Sequence, residues 1–226
     1  MLDGRFKANI EKGLRPIGLN LRKTGITADH LTTLGVVMAA AASVAIAVGQ
    51  LRVGLLLLVL TGLPDALDGA VAKASGSASP RGAFFDSVAD RVSDSLLLGG
   101  VAWYLASTHP GHLSLLPMAV LAASLLISYQ RAKADALGFD ARGGIMERAE
   151  RVILLGLGLL FDSLLVPILW LMLALTLVTA VQRFVKVWRQ ASVERPHVNT
   201  ARRARRRAAR AASPSWQRTL RGRRAS

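Results

Sequence analysis

Residues 51–106 read LRVGLLLLVLTGLPDALDGAVAKASGSASPRGAFFDSVADRVSDSLLLGGVAWYLA, and their pattern decides the fold. Two apolar runs, 51–72 and 83–106, each approach the ~20 residues that carry an α-helix across a bilayer. The short Gly- and Ser-rich segment between them, with Lys73 and Arg81, makes the two helices antiparallel neighbours. Carboxylates stand at the ends that meet this segment, Asp65 and Asp68 on one run and Asp86 and Asp90 on the other. Working outward, similar runs at 31–49, 113–130, 152–168 and 166–187 bring the number to six, with Asp162, Ser163 and Pro167 marking the turn between the last two. The expected fold is an all-α integral membrane protein of six transmembrane helices.

Composition agrees. Of 226 residues, 52% are hydrophobic and only 5% aromatic, and the mean hydropathy of +0.38 exceeds what one soluble core needs. The chain has no cysteine, which excludes a disulfide framework and thiolate-bound metals. His30, His109, His112 and His197 are too scattered to form a metal site, so a metal would need oxygen ligands. The net charge of +15 is unevenly placed. Lys and Arg gather in the N-terminal segment, at Lys73 and Arg81, between Arg131 and Arg151 (Lys133, Arg142 and Arg148 included), and in the C-terminal tail; only Arg52 lies on the other side. The excess of positive charge in cytoplasmic loops places both termini, and the four carboxylates, on the cytoplasmic face of the cell membrane.

Three segments follow. In residues 1–28, Phe6, Ile10, Leu14, Ile17 and Leu21 recur at helical spacing among Arg5, Lys7, Lys12, Arg15, Arg22 and Lys23, the pattern of an amphipathic juxtamembrane helix lying on the surface. It does not read as a signal peptide, because no compact apolar run precedes a cleavage site. Residues 29–188 form the membrane domain. Residues 189–226 lose the apolar periodicity and gain the run from Arg202 to Arg210; they read as a disordered basic tail, a solvated topological charge or a contact for anionic headgroups, with no specific nucleic-acid partner.

Charge inside a membrane span is costly, so intramembrane carboxylates mark function. Asp65 and Asp68 are three residues apart and Asp86 and Asp90 four apart, so each pair shares one helical face. Counting inward from the connecting segment puts both pairs one to two turns deep, where all four converge. Uncompensated, they would repel one another and suffer a large desolvation cost; divalent cations resolve both problems. Oxygen-only ligands favour Mg²⁺, Mn²⁺ or Ca²⁺, and two such ions suit an in-line displacement at phosphorus. Gly69, Ala72 and Gly82 are small where a bulky side chain would block a nucleotide. Asp94 continues the Asp86 and Asp90 face by one more step and reads as a supporting residue.

The run Asp65-x2-Asp68-Gly69-x2-Ala72-Lys73-x8-Gly82-x3-Asp86-x3-Asp90 resembles the signature of the CDP-alcohol phosphotransferases, with Lys73 where that family usually carries Arg. Lys keeps the charge but loses the bidentate fork for phosphate. The resemblance implies six transmembrane helices, a homodimer, a site for two Mg²⁺ ions (Mn²⁺ as substitute) on Asp65, Asp68, Asp86 and Asp90, and Asp90 as the catalytic base. It also implies a CDP-diacylglycerol site at Asp29, Thr32, Gly69, Ala72, Lys73 and Gly82, since Thr27-x-Asp29-x2-Thr32-x2-Gly35 looks like the family's entry into helix one. The stretches 128–135 and 143–151 resemble the actinobacterial phosphatidylinositol phosphate synthases. That likeness implies phospholipid biosynthesis by transfer of a phosphatidyl group to inositol 1-phosphate, with release of CMP. Ser128, Arg131, Arg151 and Arg183 would then hold the acceptor phosphate, although Arg131 and Lys133 exchange the Lys and Arg expected there. Glycerol 3-phosphate is the alternative acceptor. A rival of another class is a non-catalytic membrane anchor with a lipid- or RNA-binding tail.

Overall fold

The computed structural model describes residues 27–62 and 79–192 of the chain. The described residues are helical, without strands. In chain order the helices are α1 (Ala28–Ala47), α2 (Leu51–Gly62), α3 (Pro80–Thr108), α4 (Leu115–Leu137), α5 (Arg148–Leu160) and α6 (Asp162–Ser192). α1, α4 and α6 are long and apolar enough to cross a membrane, and α2 is a shorter apolar helix. The expected juxtamembrane helix lies outside the described residues, as do Asp65, Asp68, Gly69, Ala72, Lys73 and the Arg-rich run.

Local chemistry sets the helix ends. Thr27 caps α1 through a reciprocal pair of bonds, its Oγ1 accepting from the His30 amide while the His30 ring accepts from the Thr27 amide, both at 3.4 Å. Ser79 caps α3, its Oγ accepting from the Gly82 amide at 3.1 Å, and Pro80 occupies the first turn, where its missing N–H costs nothing. α3 therefore starts before the apolar run at 83. α4 outlasts its apolar run by almost two turns and stops at Gly138, whose φ of 77° is left-handed.

The expected turn between the last two helices is corrected in place. The break falls at Phe161, which is extended, and Pro167 lies inside α6. The physical reason is Gly158: a side chain there would come within 3.4 Å of the Leu165 Cα, so the missing Cβ lets α6 fold tightly back along α5. Asp162 opens α6 and accepts a hydrogen bond from the Tyr104 hydroxyl at 3.1 Å, tying the C-terminal end of α3 to the start of α6.

α1 packs along α3, α4 along α6 and α3, and α5 along α6. The core contains Ile46, Leu97, Val101 and Leu105 on one side, and Val120, Leu159, Leu169 and Met172 on the other. Small residues set the closest approaches. A Cβ on Gly100 would lie 2.5 Å from the Ser43 carbonyl, and the Ser43 hydroxyl donates to the Leu96 carbonyl at 2.6 Å. In a bilayer, where lipid tails are as apolar as leucine, such backbone proximity and inter-helix bonding replace water exclusion as the cause of association. The outward faces carry Val37, Val44, Trp103, Trp170 and Val181, all more than half exposed, a surface suited to lipid and not to water. This is a membrane protein.

Candidate active site

α3 presents Asp86, Asp90 and Asp94 at steps of four residues, hence on one face. With Thr32 of α1, Thr61 of α2 and Arg148 of α5 they line one cavity. Asp90 Oδ1 lies 2.8 Å from Arg148 Nη1, and Asp94 Oδ2 lies 3.0 Å from Arg151 Nη2. Arg148 Nε stands 3.7 Å from the other Asp94 oxygen, so Arg148 bridges the two carboxylates. The register explains the fit. α3 and α5 run in the same direction, so carboxylates four residues apart (~6 Å of rise) meet guanidiniums three apart (~4.5 Å), long side chains taking up the difference.

Asp29 and Thr32 sit in the first turn and a half of α1, near the start of α3: Arg81 Nη2 approaches Asp29 Oδ2 at 3.4 Å. Gly82 lies in the capped first turn of α3, where an added Cβ would make only ordinary contact with Ser79 Oγ at 3.4 Å. Among the described residues no group of three or more Asp, Glu or His side chains is arranged to hold a metal. Asp86 and Asp90 are the described half of the expected ligand set, and their carboxylate oxygens fit a hard divalent cation.

The basic residues divide by depth. Arg131 is exposed on α4 and Ser128 Oγ donates to the Ser124 carbonyl at 2.9 Å. Arg151 is buried, at 7% exposure, and so is Arg183, at 5%. Arg183 has Arg131, Arg151 and Glu147 near enough to act on it electrostatically, so three of the four expected phosphate-binding residues, all but Ser128, are neighbours. Its donors are engaged, however: Nε donates to the Gly143 carbonyl at 3.0 Å, Nη1 to the Ile127 carbonyl at 2.9 Å, and Nη2 lies 3.4 Å from Glu147.

Arg183 belongs to a seam that straps the 138–147 loop onto α6. Thr179 Oγ1 accepts from the Met146 amide at 3.0 Å, Lys186 holds the Asp140 carboxylate and the Arg142 carbonyl, each at 2.8 Å, and Gln190 bonds both the amide and the carbonyl of Asp140. These side chains recur at steps of four, three and four, one face of α6. Gly144, with φ of 140°, passes so close to Thr179 that a Cβ would meet its methyl at 2.4 Å. The Asp140 carboxyl is held below the usual carboxylate range, chiefly by Lys186 and then by the Arg142 amide. The seam fixes where α5 begins, and thereby where Arg148 and Arg151 stand.

Sequence reading missed Arg148, taken alone as a topological charge, and Glu147. The signal was present in the matching intervals, Arg148 to Arg151 against Asp90 to Asp94.

Residues 25–188 match the model of the CDP-alcohol phosphatidyltransferase family. The chain belongs to that family and is a transferase of phospholipid biosynthesis. It is 36% identical over 194 residues to the archaetidylinositol phosphate synthase of Methanothermobacter thermautotrophicus, covering 82% of this chain and 94% of that one. It also resembles the phosphatidylinositol phosphate synthase of Mycobacterium tuberculosis. The crystal structure of that protein with CDP-DAG bound superposes with a TM-score of 0.76 at 31% identity, covering 82% of this chain and 98% of that one. A second crystal structure of it, in complex with manganese and citrate, gives a TM-score of 0.75 at 31% identity, over 81% of this chain and 93% of that one.

Proposed function

We propose that the protein transfers the phosphatidyl group of CDP-diacylglycerol to a hydroxyl of inositol 1-phosphate and releases CMP. The observation that carries this reading is the juxtaposition of the α3 carboxylates with Arg131, Arg151 and Arg183 at one end of the bundle. An acidic row and a basic cluster a few ångströms apart suit two phosphate-bearing substrates with different needs. A diphosphate bridged to carboxylates by cations takes the first, and a phosphomonoester that pairs directly with guanidinium takes the second.

Asp65, Asp68, Asp86 and Asp90 would hold two divalent ions, Mg²⁺ or in its place Mn²⁺, and these would neutralise charge on the diphosphate oxygens. Manganese in the similar mycobacterial structure supports a divalent ion. Asp90 removes the proton of the attacking hydroxyl as its oxygen bonds to the phosphatidyl phosphorus. The bond from that phosphorus to the CMP oxygen breaks, and Lys73 stabilises the charge that develops on the phosphoryl oxygens. Asp29, Thr32, Gly69, Ala72 and Gly82 seat the nucleotide. Ser128, Arg131 and Arg151 receive the acceptor phosphate, with Arg183 behind them.

Six crossings with both termini and the site cytoplasmic match the alternation of Lys and Arg. α5, 13 residues long, spans only with help from the loop before it, whose Ala141 and Met146 are inserted in the core. We further propose a homodimer in the plasma membrane.

The names of the similar proteins agree on inositol phosphate and differ in the lipid, so an archaetidyl donor is the second reading for that half of the reaction. The test uses purified protein with Mg²⁺, CDP-diacylglycerol or its archaetidyl counterpart, and inositol 1-phosphate, glycerol 3-phosphate or free inositol as acceptor. CMP release and a phosphorylated inositol lipid are expected only with inositol 1-phosphate; transfer to glycerol 3-phosphate alone would replace the acceptor. Deleting residues 195–226 should leave turnover intact, whereas a membrane anchor would show no CMP release in any mixture.

A further inference from the structure

Asp94 lies outside the family signature quoted above, yet its side chain is 15% exposed and each of its oxygens faces an arginine. Arg151, 8% exposed at its side chain, has its described ion pair with Asp94 alone, at 3.0 Å. A guanidinium at that depth has no bulk water to orient it, and a carboxylate accepting one Nη fixes the plane of the fork and aims its remaining donors. On its other side Asp94 approaches Arg148, which holds Asp90 at 2.8 Å. The four residues form one charged row, Asp90, Arg148, Asp94 and Arg151, from the catalytic end of α3 to the acceptor end of α5.

We propose that Asp94 is a positioning residue for the acceptor: it orients Arg151 toward the acceptor phosphate and, through Arg148, sets the distance between that phosphate and Asp90. This rests on the reading that a phosphorylated acceptor binds at Arg151. Removing the Asp94 carboxylate leaves Arg151 buried, charged and free to rotate, so acceptor affinity falls. Binding of the CDP-lipid, which meets the other end of the row, changes little.

The experiment measures KM for acceptor and donor separately, with full-length protein and Mg²⁺, for wild type, Asp94→Asn, Asp94→Ala, Arg151→Lys and Asp94→Asn/Arg151→Lys. With inositol 1-phosphate, acceptor KM should rise about tenfold in Asp94→Ala and about threefold in Asp94→Asn, whose amide oxygen still accepts one bond, while donor KM stays within about twofold. In the Arg151→Lys background, Asp94→Asn should add little, because both changes disrupt one interaction. KM does not depend on how much protein is folded, so a variant that folds poorly still reports. Equal changes in both KM values, an acceptor KM that does not move, or full additivity of the two substitutions would overturn the proposal. Failure of the underlying reading shows earlier and separately, as a wild type that accepts no phosphorylated alcohol.

Discussion

Both the α3 carboxylate row and the seam between α6 and the 138–147 loop are built around a buried arginine, and they employ it oppositely. On the α3 side Arg151 and Arg148 meet carboxylates of another helix. In the seam Arg183 bonds two backbone carbonyls and one carboxylate. Backbone acceptors cannot be exchanged without moving the chain, so the seam is a fixed construction. Side-chain carboxylates can turn toward a substrate or an ion, so the α3 row is available for chemistry. Substitutions in the first should therefore weaken the fold, and those in the second should weaken the reaction.

The sharpest break between them is expected at Asp90. Asp90→Asn should lower turnover about a thousandfold, within the range for loss of a general base, with apparent Tm in detergent nearly unchanged. A large fall in Tm would mean that the α3 row is structural after all. Arg183→Lys is the converse. Lysine keeps the charge but cannot reach three acceptors in fork geometry, so about 3 kcal/mol of stability should be lost, read by thermal or denaturant unfolding. Smaller is Gly144→Ala, which forces a Cβ into Thr179 at a φ of 140°; about 2 kcal/mol should be lost, and pairing it with Thr179→Ser should return part of it. The least effect belongs to Asp140. Because its carboxyl is held below the ordinary range by Lys186, the stability it lends is present above the unfolded-state value and disappears as pH falls through the lower folded value. Asp140→Asn should lower neutral Tm slightly, leave Tm in acid almost unaltered, and so flatten the dependence of Tm on pH in that acidic window.

The apolar runs were legible because a bilayer imposes a minimum length, and α1, α4 and α6 meet it outright. The N-terminal half of α3 was harder to bound, since Pro80 to Asp94 mixes charge with Phe84 and Phe85; its start was set by the Ser79 cap, a local signal independent of hydropathy. The corner at Phe161 was misplaced because Pro167 is the conspicuous breaker, whereas the corner depends on an absent side chain at Gly158. For the site, Asp86 and Asp90 announced themselves by charge and spacing. Arg148, Glu147 and the seam did not, since their roles depend on which helix faces which, and one chain's periodicity carries no information about neighbours distant in sequence.

The contact between Ser43 and Gly100 has one more consequence. It fastens the C-terminal halves of α1 and α3 backbone to backbone, while toward the other end Phe84 stands 71% exposed and Val88 44%. Gly100 is thus the apex of the contact between the two helices, and the cavity beside Asp86 and Thr32 is its mouth. Bulk added at the apex would prise the mouth wider and separate Thr32 from the carboxylates without touching either, so a methyl group at position 100 would act on catalysis as a spacer.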